Sequence, residues 1–300
     1  MKLFATLSCL LFLVFSAPGA TNVHFKRTED VIYGRKPGVA LTMDVFQPEK
    51  PNGLGIIFVV SGGWFSSKEA IAPTVYETFM ERGYTVFAVV HGSQPKFQIP
   101  EIVQDMHRAV RFIRYNAKKF GIHPDHIGVT GGSAGGHLSL TLGTQGGPGK
   151  PDAKDPVDRV SSAVQCVACF FPPTDFLNYG HVGTNAVGFG ILKSFQPAFG
   201  AASETAEGRE KLGRQISPIY FVHSNQAPTL IIHGDVDTLV PIQQSESFVA
   251  ASQKVGAEAK LTVKSGGAHG WKDWTADFAS FNDWFDEHLR KGSSSLEKTQ

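Results

Sequence analysis

The sequence predicts an α/β fold with a mostly parallel central sheet and helices on both faces. Three observations point there. Short continuous apolar runs, such as Gly55-Ile56-Ile57-Phe58-Val59-Val60 and Thr229-Leu230-Ile231-Ile232-His233, have the pattern of strands covered on both faces. Residues 99–120 carry apolar side chains at helical spacing: Ile102, Val103, Met106, Val110, Ile113, Ala117 and Phe120. Such strands and helices alternate along the chain, and alternation of this kind implies crossover connections and parallel strands. The 300 residues, 42% of them hydrophobic and 18% charged, are enough for a large core. A net charge of +1 gives no reason to expect nucleic acid or an anionic surface as partner.

Taken in order, residues 23–47 read as two antiparallel strands. Ala40-Leu41-Thr42-Met43-Asp44-Val45-Phe46 alternates with period two, and Pro48 ends it. The central strand 55–60 follows, then a helix over 71–82 stopped by Gly83 and a buried strand over 84–90. The helix 99–120 closes on Gly121 in the C′ position. A strand over 126–130 leads into a helix over 133–142. Further strands fall at 160–171, 229–233 and 259–264, and further helices at 241–255 and 271–289. Residues 175–222 break this rhythm. They hold no clean strand but many glycines and the aromatics Phe176, Tyr179, Phe189, Phe195 and Phe199. An insertion of that size between strands is usually functional, so it is read as a small lid over the strand ends, where open α/β sheets bind ligands.

The chain starts with Met1-Lys2, an apolar run over 3–15 and the small residues Ser16, Ala17, Gly19 and Ala20. This is the pattern of a secretory signal peptide, 1–20, cleaved after Gly19 or Ala20. The run is shorter than the ~20 residues a spanning helix needs, so no stable membrane insertion is expected after cleavage. A retained anchor is the alternative. The expected organisation is therefore a signal peptide, one domain over 21–290 with its lid, and a flexible polar tail over 291–300. Cleavage would leave only Cys166 and Cys169, three apart on a predicted strand and so on opposite faces, as packed thiols.

The chemistry concentrates in Gly131-Gly132-Ser133-Ala134-Gly135-Gly136, which follows a β-branched strand and opens a helix. The spacing G-x-S-x-G suits a nucleophile on a strained strand-to-helix turn, where side chains two residues either side would collide with the flanking elements. A phosphate-binding loop would need a following Lys-Ser/Thr, which is absent. A serine needs a base, and the base needs an orienting acid. His269, in Gly266-Gly267-Ala268-His269-Gly270-Trp271, is the candidate base. Asp237, in His233-Gly234-Asp235-Val236-Asp237, is the candidate acid, with Asp235 as its rival. The order Ser133, Asp237, His269 is the one this arrangement requires. The other histidines, His107, His137, His223 and His233 among them, read as packing or surface groups. His91, just after a central strand, could line the pocket. Donors for an oxyanion are expected from the backbone N–H of Ala134 and from Gly63 or Trp64 in Ser61-Gly62-Gly63-Trp64. Phe189 and Phe195 are the lid residues expected to meet substrate. No cluster has metal-ligand spacing, and neither metal nor cofactor is expected.

Gly62-Gly63-Trp64, the segment from Ile127 to His137, and His233 to Pro241 together resemble the α/β-hydrolase family of feruloyl and acetylxylan esterase-like (BD-FAE-like) proteins, near the hormone-sensitive-lipase and dienelactone-hydrolase groups. The resemblance runs from about Thr42 to Trp284. It implies the α/β-hydrolase fold and a carboxylesterase, often acting on acyl groups attached to plant or algal carbohydrate. Relatives commonly show H-G-G-G-W at the oxyanion loop, where this chain has Val60-Ser61-Gly62-Gly63-Trp64. The missing histidine would normally brace that loop. Two other readings stay open: a serine peptidase or amidase related to the prolyl-oligopeptidase group, and an inactive binding module of the same fold.

Overall fold

A computed structural model of the protein describes residues 23–290. The expected signal peptide and polar tail lie outside the described residues. Eight strands form one sheet: β1 (Phe25–Lys36), β2 (Val39–Pro48), β3 (Gly55–Val60), β4 (Thr85–Val90), β5 (Ile127–Gly132), β6 (Cys166–Phe170), β7 (Thr229–Gly234) and β8 (Ala259–Lys264). Their spatial order is β1-β2-β4-β3-β5-β6-β7-β8. β2 runs antiparallel to β1 and β4, and every other neighbouring pair is parallel. The helices are α1 (Pro73–Glu81), α2 (Ile99–Tyr115), α3 (Ala117–Phe120), α4 (Ala134–Gln145), α5 (Gln196–Phe199), α6 (Ala206–Ile216), α7 (Gln243–Lys254) and α8 (Phe278–Arg290). Among the described residues no helix is long and apolar enough to cross a membrane.

Alternate residues of the central strands feed two cores. Ile57, Val59 and Val129 pack with α2, α4 and α7, while Ile56 and Val60 pack with α1 and α8. Cys166 and Cys169 divide the same way, one in each core, and both are free thiols that burial pushes up in pKa. β3 is flanked by β4 on one side and β5 on the other, so the chain leaves β3 in one direction and returns across it. The loops that follow β3 and β5 therefore diverge at the carboxyl edge of the sheet. That divergence opens a crevice, the usual position of a site in such sheets.

Three elements differ from the expected boundaries. The helix over 99–120 is divided at Asn116, whose side-chain amide donates to the Phe112 carbonyl at 2.9 Å and competes with the helix ladder. Gly121 then ends α3 with φ of 67°, the left-handed cap expected there. The strand expected over 160–171 shortens to β6. Ser162 N–H donates to Gly147 O, and the Arg114 guanidinium takes the carbonyls of Ser161 and Ala163, so these groups are satisfied outside the sheet. The helix expected over 271–289 starts only at Phe278, because Asp273 adopts φ of 61° and a single 3₁₀ turn, Trp274–Asp277, intervenes. The 175–222 insertion holds no strand; it is built from α5, α6 and short 3₁₀ turns.

Among the buried histidines, His91 after β4, His107 on α2 and His137 on α4 are kept neutral by burial. Burial holds each pKa down, from an ordinary 6.5 to about 4. Between pH 6.5 and 4 the unfolded chain binds protons that the folded chain excludes. Stability is therefore complete above 6.5 and falls as pH drops through that window. Each ring is expected to cost about 2 kcal/mol by pH 5. Urea midpoints should be clearly lower at pH 5 than at pH 7, and His107→Gln should flatten the dependence by about one proton. Equal midpoints at the two pH values would contradict this.

Candidate active site

Ser133 stands between β5 and α4 with φ of 54° and ψ of −119°. A side chain rarely adopts this left-handed region, and the neighbours must be small for the chain to do so. A Cβ on Gly131 would lie 2.7 Å from the carbonyl carbon of Gly135, and one on Gly135 would lie 2.9 Å from the Val59 oxygen. A Cβ on Gly136 would lie 2.8 Å from the Phe170 oxygen. The turn is pinned by Ser133 N–H donating to Phe170 O at 3.0 Å and His137 N–H donating to Ser133 O at 2.9 Å.

His269 Nε2 lies 2.9 Å from Ser133 Oγ, and His269 Nδ1 lies 2.7 Å from Asp237 Oδ2. The three residues predicted from sequence are thus brought into one hydrogen-bonded chain. A carboxylate only accepts, so the imidazole proton sits on Nδ1 and Nε2 is free to accept from the serine hydroxyl. Asp237 is enclosed. Burial disfavours its charge, but hydrogen bonds from His233 and His269, with the charge of His269, hold its pKa well below the usual carboxylate range. Its other oxygen accepts from the N–H groups of Leu239 and Val240, each at 2.9 Å.

The loop carrying His269 crosses the Asp237 loop at close quarters. A Cβ on Gly234 would lie 2.1 Å from the Gly267 oxygen. Val236 N–H donates to Gly267 O at 3.0 Å, and Asp235 accepts from Gly266 N–H at 2.7 Å. Asp235, the rival acid, therefore clamps the histidine loop and leaves Asp237 as the group on His269. His233, by its sequence a packing or surface group, is fully buried, and its Nε2 lies 2.8 Å from Val240 O and 3.3 Å from Asp237 Oδ2. Its Nδ1 accepts from Ser245 Oγ at 2.7 Å. The available signal was its position, four residues before the acid. Phe171 was also missed. It directly follows β6 with φ of 33° and places its ring 4.6 Å from that of His269.

The loop after β3 turns through two left-handed residues, Gly63 (φ 54°) and Trp64 (φ 60°), closed by mutual hydrogen bonds between Gly62 and Phe65. Among the described residues none accepts from the N–H of Gly63, Trp64 or Ala134. Phe195 packs directly on this loop: a Cβ on Gly63 would lie 2.5 Å from its ring. Phe189 is not brought there; it is 57% exposed and lies under the Arg209 guanidinium. His91 does not line an open pocket either. It is 3% exposed, its Nδ1–H donates to Gly92 O at 2.8 Å, and its Nε2 accepts from Ser61 Oγ at 2.8 Å. An imidazole thus braces this loop from β4, although position 60 is valine. A separate cavity of about 650 Å³ lies between β1 and α2, four strands from β5. Of its charges, Lys36 is paired with Asp105 and Arg108 with Asp155 and Asp158. Among the described residues no group of three or more His, Cys, Asp or Glu is arranged to hold a metal ion.

A serine on a strand–helix elbow, at the carboxyl edge of a mostly parallel eight-stranded sheet, marks the molecule as an α/β hydrolase. The chain belongs to the BD-FAE family, whose model matches residues 43–251. It is similar to Esterase LipQ of Mycobacterium tuberculosis, 27% identical over 257 residues, covering 84% of this chain and 59% of that protein. It is similar also to the isoprenylcysteine alpha-carbonyl methylesterase ICME of Arabidopsis thaliana, 26% identical over 245 residues, covering 80% of this chain and 55% of that one. The chain thus spans less than two thirds of these relatives. Among solved structures it resembles a truncated carbohydrate esterase from gut microbiota, with TM-score 0.73, 27% identity and coverage of 90% and 98%. An acetyl ester-xyloside bifunctional hydrolase from Caldicellulosiruptor lactoaceticus matches with TM-score 0.68, 25% identity and coverage of 84% and 90%.

The two carboxylates of the 233–237 segment should separate cleanly in kinetics. Asp237→Asn reverses the bond to His269 and is expected to lower kcat by up to about 10⁴, as in serine proteases. Asp235→Asn keeps an acceptor for Gly266 N–H and should cost less than about tenfold. The opposite ranking in steady-state assays would mean that the wrong acid has been identified.

Proposed function

We propose that this protein hydrolyses carboxylic esters through an acyl-enzyme intermediate, with Ser133 as nucleophile, His269 as base and Asp237 as the acid that orients it. The hydrogen-bonded chain Ser133–His269–Asp237 carries this reading. Ser133 Oγ attacks the ester carbonyl as His269 Nε2 takes its proton. The tetrahedral oxyanion is met by the N–H of Ala134 and by those of Gly63 and Trp64, which have no acceptor among the described residues. The imidazolium formed faces the buried Asp237 carboxylate, which is already held in its charged form. His269 then returns the proton to the leaving alcohol. Water, deprotonated by the same ring, attacks the acyl carbonyl and releases the acid and free Ser133. The residues require no metal or cofactor for these steps.

The substrate proposed is a small or carbohydrate-linked acyl ester. The support is the likeness to the carbohydrate esterase and to the acetyl ester-xyloside hydrolase. The seat of Phe195 on Gly63 supports the reading that the lid meets the acyl or alcohol group. Secretion is also proposed, on the apolar run and small residues of 1–20; the amino terminus of exported protein should begin near residue 20.

Purified protein should release p-nitrophenol from p-nitrophenyl acetate and acetate from acetylated xylan, and should leave the matching anilide intact. Ser133→Ala should abolish turnover and fluorophosphonate labelling with little change in melting temperature. Preference for the anilide would favour a peptidase, and labelling of another serine would remove Ser133 from its role.

A further inference from the structure

Trp64 and His137 form a contact that the proposed chemistry does not itself use. The indole Nε1–H donates to His137 Nδ1 at 3.1 Å, and His137 Nε2 lies 2.7 Å from the Ile216 carbonyl oxygen. An indole N–H can only donate and a carbonyl can only accept, so the ring is the neutral tautomer with its proton on Nε2. His137 is fully buried, and burial lowers its pKa to about 4, which keeps it neutral. The three residues come from three separate elements. Trp64 belongs to the loop bearing the oxyanion donors, His137 to the first turn of the nucleophile helix α4, and Ile216 is the last residue of lid helix α6.

The surroundings make the contact consequential. Trp64 is 2% exposed, and its ring meets Phe176, Phe195 and Phe199 of the lid at 5.8, 6.2 and 5.3 Å. Its backbone sits in the left-handed region, which a tryptophan occupies only when its side chain is firmly held. Among the described residues the indole bond to His137 is the one polar interaction of that side chain, and it runs straight to the helix that carries Ser133.

We propose that His137 is a positioning residue for the oxyanion loop: it accepts the Trp64 indole because the lid carbonyl of Ile216 keeps its proton on Nε2, and the lid thereby fixes the donors at Gly63 and Trp64. This rests on the ester-hydrolase reading above. Movement of α6 would release the proton position, then the indole, then the loop.

Three variants separate the bonds. His137→Gln puts an amide nitrogen near Nε2 and leaves the indole without an acceptor. His137→Asn puts an amide oxygen near Nδ1, an acceptor that needs no tautomer. Trp64→Phe keeps the aromatic packing and removes the donor. With p-nitrophenyl acetate, His137→Gln and Trp64→Phe should each lower kcat about 10- to 100-fold with KM within about threefold, less than outright loss of an oxyanion donor. The double variant should be no worse than the poorer single one, since both remove the same bond. His137→Asn should recover kcat to within about fivefold of the parent. Nitrogen-15 shifts at neutral pH should show the His137 proton on Nε2. Wild-type kcat in Trp64→Phe, multiplicative losses in the double variant, or an Asn variant as poor as the Gln variant would overturn the proposal. So would a proton on Nδ1. The tautomer measurement does not depend on turnover. An inactive parent enzyme would therefore count against ester hydrolysis, and a proton on Nδ1 against the relay. If His137→Gln fails to fold, Trp64→Phe tests the same bond.

Discussion

Ser133 occupies a backbone conformation that costs on the order of 1–3 kcal/mol, and the surrounding structure must impose it. Strand β5 enters the turn with its neighbours β3 and β6 already in register. The N–H of Ser133 is then tied to β6 through Phe170 O. Helix α4 leaves at once, close enough to β3 and β6 that side chains at Gly135 and Gly136 would strike their carbonyl oxygens. The same closeness sets the distance between the loop after β3 and the first turn of α4. The strained turn at Ser133 and the proposed oxyanion pocket are therefore consequences of one packing arrangement, and loosening either would loosen both.

A second constraint is the buried carboxylate of Asp237. Removing a charge from water is expensive unless donors replace the water. Here four do: two backbone N–H groups from Leu239 and Val240, and two imidazoles, His233 and His269. The backbone donors come from the Asp237 loop itself, and His233 from the end of β7. The fourth, His269, arrives from the loop after β8, which Asp235 and Val236 hold against β7. Asp237 is thus held as a carboxylate, and in the proposed reaction little reorganisation would remain when the imidazolium forms.

Four features were legible in the sequence because each is local. The order of strands and helices follows from apolar periodicity. The Ser133 turn follows from glycines spaced around it. Asp237 and His269 follow from their places after successive strands, and Gly121 from the need for a left-handed cap. Boundaries failed where side chains took over backbone partners or the backbone turned left-handed. Asn116 divided a helix and Arg114 removed carbonyls that β6 would have used, while the positive φ of Asp273 delayed α8.

The pairings of the oxyanion loop and lid were not legible. Trp64 meets His137 across 73 residues, and His137 meets Ile216 across 79. The sequence by itself determined which residue types stand at the ends of which strands, since periodicity and turn chemistry act over a few residues. Only the tertiary structure decided that His91 supports Ser61, that His233 shares Asp237, that Phe195 covers Gly63 and that Phe189 does not. Those outcomes depend on strand order and on how closely helices and lid pack over the carboxyl edge, and a hydrogen bond between distant residues forms only where that packing brings donor and acceptor within about 3 Å.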